Sequence, residues 1–444
     1  MEDNVSNIDG ASNKFSSKIG FILSCVGSAV GMANIWAFPY RIGKYGGATF
    51  LLIYIFFIAL FSNIGLSTEF AIGRKTRTGT LGSYKHAWGS RGREDLGAKI
   101  GWIPLVGSLG ISIGYAVIVG WVLRTLVAAI SGRLFTMDSV DFFMEAAGPL
   151  GSYPWHIIIV LVTLLTLMLS AESIEKTNKI MMPAFFILFF LLAIRVAFLP
   201  GALKGYKYLF TPDWSYLKNP DTWVMAMGQA FFSLSVTGSG MIVYGAYLPD
   251  NEDIIHSARI TGIFDLVAAL VSALVIIPAC FAFDIDVNAG PPLMFFTIPK
   301  VLSQIPMGRL FAVIFFLSVI FAGISSLQNM FEVVAESLEK KFRLKRKPVL
   351  FLLAILCLGI GVAIESEPLV GLWMDAISIY IIPLGAVLGA ISWFYLLDSQ
   401  ELMTELNKGA GRFYGNWFLW LGKYIYVPIA LIVFVLGLIY GGIG

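Results

Sequence analysis

Apolar runs close to the ~20 residues needed to cross a ~30 Å hydrocarbon core recur along nearly the whole chain, with short polar connections between them. The pattern predicts about eleven helices, at 18–41, 47–74, 101–132, 155–171, 178–199, 221–247, 258–284, 307–339, 348–365, 369–397 and 418–441. Lysine and arginine gather in two connections, Lys75 to Lys99 after the second run and Lys340 to Lys347 after the eighth, both on the side of the amino terminus. Basic loops mark the cytoplasmic side, so the amino terminus is expected inside. The uncharged end, Gly441 to Gly444, is expected outside, together with 133–154, 200–220 and 285–306. A short re-entrant helix is expected within Pro299 to Pro306. Residues 1–17, polar around Asn4, Asn7 and Ser12, read as a disordered cytoplasmic tail. The run after Lys18 is too long for a signal peptide and lacks a small-residue cleavage site, which makes it a retained span of a multi-pass protein in the plasma (inner) membrane.

Two of the runs are interrupted. The first carries Gly20, Gly27, Gly31, Asn34 and Pro39 where a continuous apolar helix belongs. The sixth repeats the fault at Ser233, Ser235, Thr237, Gly238, Ser239 and Gly240. Each glycine weakens a helix by roughly 1 kcal/mol, and unwound backbone at membrane depth is tolerated only where it lines a cavity or is buried in protein. Paired interruptions at corresponding positions of two halves point to a binding site between them. Gly27 and Gly31 also form a G-x-x-x-G pattern, which by itself reads equally well as a close helix-packing face. Packing accounts for neither Asn34 nor Pro39.

Composition narrows the class. Hydrophobic residues make up 57% of the 444 and charged residues 13%, and the mean hydropathy of +0.80 leaves no room for a water-soluble domain. The lipid bilayer is the implied surrounding. A net charge of +3 on a chain of this length offers no basic surface for nucleic acid. Cys25, Cys280 and Cys357 lie singly inside apolar runs and read as small core residues, not as a disulfide framework or metal site. His86, His156 and His256 are far apart, there is no H-E-x-x-H, and no serine has a nearby base, so nothing in the sequence supports an enzyme. A channel built on the same interrupted helices is the alternative to a carrier.

Three segments carry a resemblance to a known family. They are Lys18-Ile19-Gly20 through Asn34-Ile35-Trp36-Ala37-Phe38-Pro39-Tyr40 with Tyr45-Gly46-Gly47, then Gly228-Gln229-Ala230-Phe231-Phe232-Ser233-Leu234-Ser235 through Tyr244-Gly245-Ala246-Tyr247, then Phe321 to Ser326. They resemble the neurotransmitter:sodium symporter family in its bacterial amino-acid branch, which includes the bacterial leucine transporter, and the likeness covers essentially the whole chain. It implies an all-α integral membrane fold of about eleven transmembrane helices, an inverted five-plus-five repeat with helices one and six broken. The implied division is a tail at 1–17, the first repeat at 18–200, the inverted repeat at 201–397, and a loop with helix eleven at 398–444. The implied activity is sodium-coupled symport of an amino acid into the cell by alternating access.

Sodium favours oxygen ligands, so released carbonyls, amides and hydroxyls are the relevant chemistry. For one sodium site the resemblance implies the carbonyl of Ala29 and the side chains of Asn34, Ser233 and Asp265, with the substrate carboxylate completing the shell. For a second it implies the carbonyls of Gly27, Val30 and Ala322 and the hydroxyls of Ser325 and Ser326. Positions 322, 325 and 326 share one helical face; taken alone, the two serines read as hydrogen-bond glue between helices. Main-chain N–H groups near Met32 and Ala33, with the Tyr115 hydroxyl, suit a carboxylate. Monoamine carriers of the family have an aspartate at the position of Gly31, so its absence favours an amino acid. Positional match gives the substrate side chain to Ile111, Phe232, Ser235, Gly238 and Met330. Gly238 replaces a bulky aromatic, which implies a large hydrophobic or aromatic substrate.

Asp265 departs from the family pattern, which usually has an amide there. Chloride-dependent members hold their anion with groups matching Tyr54, Gln229, Ser233 and the positions of Asp265 and Ala269, whereas chloride-independent members place a carboxylate at the position of Ala269. A carboxylate at membrane depth costs ~2.5–3.5 kcal/mol. Asp265 is therefore expected to touch sodium, to supply the negative charge without chloride, and to take a proton once sodium leaves. The family's outer-gate arginine is Ala37 here; Arg41, one turn on, either bridges to Asp375 or is an interfacial snorkelling residue. The inner-gate pair falls on Ser12 and Lys340, with Tyr247, Glu332, Glu336 and Lys14 as a substitute network. Glu69 is expected to accept from the exposed N–H groups of the broken helices.

Overall fold

The computed structural model describes residues 14–284 and 293–442; Asn4, Asn7, Ser12, the start of the 285–306 connection and the final Ile443 and Gly444 lie outside them. Among the described residues all regular structure is helical, apart from one isolated bridge between Gly47 and Pro212. We number the spans in chain order. The first, α1, runs as Lys18–Ala29 and, after a break, a π-type turn Ala33–Ala37 leading into Phe38–Lys44. It is followed by α2 (Ala48–Thr76), α3 (Trp102–Ser131), α4 (Tyr153–Leu165) and α5 (Ala171–Ala197). The sixth, α6, is again in two pieces, Pro220–Ser233 and Gly240–Ala246. Then come α7 (Ile254–Ala282), α8 (Gly308–Phe342), α9 (Arg346–Ala363), α10 (Glu367–Leu396) and α11 (Trp417–Tyr440). Among the described residues eight helices are long and apolar enough to cross a membrane, and the two halves of α1, bent by 58°, make a ninth when taken as one span. Both interruptions read from the sequence are thus real breaks in the chain path.

Other boundaries move for physical reasons. α5 begins at Ala171, seven residues before the apolar run, because the pairs Glu172–Lys176 and Glu175–Lys179, each 2.6 Å, carry the helix past the apolar stretch. The first basic connection is not a loop but two short helices, Thr80–Gly89 and Glu94–Ile100. The helix expected within Pro299 to Pro306 instead spans Leu293–Ser303, with Pro299 inside it.

The last residues of the tail are not disordered. Phe15 is buried and its N–H donates to the Tyr247 carbonyl at the end of α6 (3.1 Å). Next to it Glu175 of α5 accepts from the Ser16 N–H (2.5 Å) and the Ser17 hydroxyl (2.7 Å), and Ser17 caps the start of α1. A tail that looked merely polar is fastened by one carboxylate and one aromatic ring.

Candidate functional site

The break in α1 follows from its residues. Val30 leaves helical geometry at φ −77°, ψ 103°, and the Asn34 side chain accepts the freed Gly31 N–H at 3.1 Å, capping the restart. In α6 the chain passes through left-handed geometry at Ser235 (φ 53°) and Gly238 (φ 73°). Glu69 of α2 accepts from the Gly238 N–H (2.7 Å) and the Met241 N–H (3.2 Å), as expected of it. Unwound backbone is therefore paired at both breaks.

Four helices meet at Asp265, which is fully buried on α7. Its carboxylate accepts from Ser233 Oγ (2.6 Å), Asn34 Nδ2 (2.8 Å) and Tyr54 OH (3.1 Å). Asn34 Nδ2 also reaches Ser233 Oγ at 3.0 Å and the Asp265 carbonyl at 3.2 Å. The three side chains of the first expected sodium site are thus together, with the Asn34 amide turning its nitrogen to Asp265 and its oxygen to Gly31. A half-turn of that amide presents its oxygen instead. The donor set is one carboxylate, hydroxyls and an amide, suited to a small hard cation.

The second cluster has a different make-up. Ser326 Oγ lies 3.4 Å from the Gly27 carbonyl and 3.3 Å from the Val30 carbonyl, and Ser325 Oγ donates to the Ala322 carbonyl at 3.0 Å. Gly27 packs against Ser325 and against Asn178 of α5, whose buried Oδ1 has no hydrogen-bond partner. Every residue expected at the second site is present in this one neighbourhood.

Between the clusters is a cavity lined by every residue expected to touch substrate except Gly238. Gly238 is a correction. At φ 73° its missing Cβ would face the Gly385 carbonyl of α10 and the Tyr84 hydroxyl, away from the cavity, and Thr237 lines the cavity in its place. The inference of a larger pocket from Gly238 therefore falls. The Met32 N–H, expected to face substrate, donates to Tyr115 OH at 2.9 Å, which leaves the hydroxyl hydrogen of Tyr115 to be given onward. A Cβ at Gly31 would lie 2.7 Å from both Tyr115 OH and Ser326 Oγ, so a side chain there crowds both hydroxyls. Sequence reasoning missed Ser108, Thr237, Asn329 and Ile382, which also line the cavity.

The gates differ from expectation. Arg41 does not bridge to Asp375: it is buried and donates to Gln229 Oε1, while Asp375 sits on the exposed side of α10 just before a π-type turn, with no ion pair among the described residues. Gln229 in turn donates to the Ala33 carbonyl (3.0 Å). On the face carrying the basic connections, Glu332 accepts from Tyr247 OH (2.5 Å) and Ser170 Oγ (2.6 Å). Its cation is Arg346, which pairs with Glu332 and Glu339 and donates to the Leu167 carbonyl (2.8 Å). Lys14 takes no part among the described residues. Arg346 was legible only as one of a row of loop charges.

Comparison with known proteins agrees with this arrangement. The model of the sodium:neurotransmitter symporter family matches residues 12–143 and 135–441. An uncharacterized sodium-dependent transporter of Bacillus subtilis is 32% identical over 96% of this chain and 97% of its own length. Another from Methanocaldococcus jannaschii is 32% identical over 94% and 88%. The crystal structure of MhsT in complex with L-phenylalanine superposes with a TM-score of 0.82 at 28% identity, over 96% of this chain and 99% of that one. With both broken helices, the central cavity and full-length matches in hand, the chain belongs to the sodium:neurotransmitter symporter family of sodium-dependent membrane transporters.

Proposed function

We propose that this transporter carries an amino acid into the cell with two sodium ions, by alternating access and without a chloride requirement. One observation carries the reading: a single buried carboxylate, Asp265, gathers Asn34, Ser233 and Tyr54 beside a cavity that ends at Tyr115 and the α1 break. The substrate carboxylate takes the Tyr115 hydroxyl and the remaining main-chain donors of the restarting helix, and its charge completes the shell of a sodium held by Asp265, Asn34, Ser233 and the Ala29 carbonyl. A second sodium is held by Gly27, Val30, Ala322, Ser325 and Ser326. Chloride has no place left, since Tyr54 and Ser233 already give their hydroxyls to a fixed anion and Gln229 is engaged by Arg41 and Ala33. The phenylalanine bound in the similar MhsT supports a sizeable side chain.

The basic face is read as cytoplasmic, with the carboxyl terminus outside, and residues 18–200 and 201–397 as the two inverted repeats. Glu332, Arg346 and Tyr247 close the inner side, and their separation accompanies release. The test is uptake in proteoliposomes with a sodium gradient, screening the twenty amino acids. Saturable accumulation against a gradient supports the reading, and sodium current without substrate coupling overturns it in favour of a channel.

A further inference from the structure

Beyond the anchor for the carboxylate, the cavity has a second polar pole built from hydroxyls. Ser108 Oγ on α3 lies 2.8 Å from Ser239 Oγ, which lies 3.0 Å from Thr237 Oγ1, both in the unwound part of α6. Ser108 and Thr237 line the cavity, and Ser239 is buried behind them. Each hydroxyl carries one hydrogen and two lone pairs. Three hydroxyls joined by two hydrogen bonds spend two hydrogens, so one O–H donor in the chain is left over, and with Ser239 donating to one neighbour it falls on Ser108 or Thr237 at the cavity. The Gly240 N–H at 3.4 Å from Thr237 Oγ1 adds a donor to the chain and removes none. A donor at the wall of a largely apolar cavity calls for an acceptor.

The position of this pole fixes the length of what reaches it. Ser108 precedes Tyr115 by two turns on the same face of α3, which is roughly 10 Å along the helix. That separation fits an amino acid whose carboxylate sits at Tyr115 and whose side chain is long and extended. The walls between are apolar: Ile111 and Ile382 pack together with Phe232 and Met330 against them. Of the ionisable side chains only the Tyr115 phenol lines the cavity among the described residues, so a charged side chain would enter without a counter-charge.

We infer that the substrate is a neutral amino acid with a flat apolar side chain ending in a hydrogen-bonding oxygen, a phenol such as that of L-tyrosine, selected over L-phenylalanine by Ser108 and Thr237. This rests on the amino-acid symporter reading above and goes beyond it. A site that hydrogen-bonds a substrate hydroxyl discriminates against the analogue lacking it, because its own polar group is then left unpaired.

The experiment is reciprocal competition between L-tyrosine and L-phenylalanine for sodium-dependent uptake in proteoliposomes, read as the ratio of their inhibition constants within one preparation. In the unaltered protein the ratio favours tyrosine by about tenfold, the effect of one hydrogen bond with its unpaired alternative. In a Ser108→Ala, Thr237→Val double variant the preference shrinks to within about twofold of unity through weaker tyrosine binding. Equal affinity or a preference for phenylalanine in the unaltered protein overturns the inference whatever the variant does, and so does a tyrosine preference that survives both substitutions. Sodium-driven accumulation of other amino acids without competition by either one also overturns it, while leaving the symporter reading intact. Failure of all twenty removes both.

Discussion

The two clusters that flank the break in α1 are built on opposite electrostatic plans. The Asp265 cluster joins α1, α2, α6 and α7 through one buried carboxylate and three side-chain donors. The Ser326 cluster joins α1 and α8 through main-chain carbonyls and hydroxyls, dipoles with no formal charge. A cation at the first neutralises a charge that the protein already pairs with donors; at the second it replaces neutral contacts of 3.0 to 3.4 Å. Changes at the first therefore alter field and fold together, whereas changes at the second alter coordination alone.

The largest effect is expected at Asp265. Removing the carboxylate takes away the acceptor of the buried Ser233 and Tyr54 hydroxyls, each costing ~1–3 kcal/mol when left unpaired, while Asn34 keeps Ser233 Oγ and the Asp265 carbonyl. Asp265→Ala is expected to raise the sodium concentration for half-maximal uptake by about a hundredfold or to abolish uptake, and Asp265→Asn, which keeps the volume, by about tenfold. Sodium-titrated uptake checks both, and a D265N protein with unaltered sodium dependence would erase the contrast between the clusters. Gly31→Ala comes next. Its methyl group lands 2.7 Å from both Tyr115 OH and Ser326 Oγ, so it touches the proposed substrate anchor and the neutral cluster at once. Overpacking of ~1–3 kcal/mol implies a loss of substrate affinity of about tenfold, measured by equilibrium binding at saturating sodium.

These positions were legible because polar or small residues inside apolar runs stand out. Gly27, Gly31, Asn34 and Asp265 announce themselves in that way, and the broken spans and both clusters follow from them. What sequence could not supply is the phase of the chain through a break. Left-handed turns at Ser235 and Gly238 rotate α6 so that Thr237 faces the cavity and Gly238 faces α10, opposite to the positional match. Ser108 and Asn329 look like ordinary helix-packing residues until the cavity is seen beside them. Arg41 has its partner, Gln229, on a distant segment, and Arg346 has its partner, Glu332, on the preceding helix, and no spacing rule relates either pair.

Ser326→Ala sharpens the comparison from the weaker side. Deleting one neutral hydroxyl removes ~1 kcal/mol and leaves the fold intact, so half-saturation by sodium is expected to rise about fivefold with no change in substrate selectivity. A loss as deep as that of Asp265→Ala would mean that the neutral cluster dominates sodium binding, and the contrast would be reversed.

The smallest effect is expected from the anion. Replacing chloride with gluconate on both sides is expected to change uptake by less than about twofold, because the charge that a mobile anion would bring is already fixed at Asp265. Tyr54 and Ser233 cannot donate the same hydrogen to a carboxylate and to chloride, and the Gln229 amide nitrogen already donates to the Ala33 carbonyl. The Asp265→Asn protein turns this into a sharp test. With the fixed charge gone, those hydroxyl donors are released, and chloride should recover part of the lost sodium affinity. If gluconate collapses uptake in the unaltered protein, Asp265 is not the compensating charge, and the difference between the two clusters is structural alone.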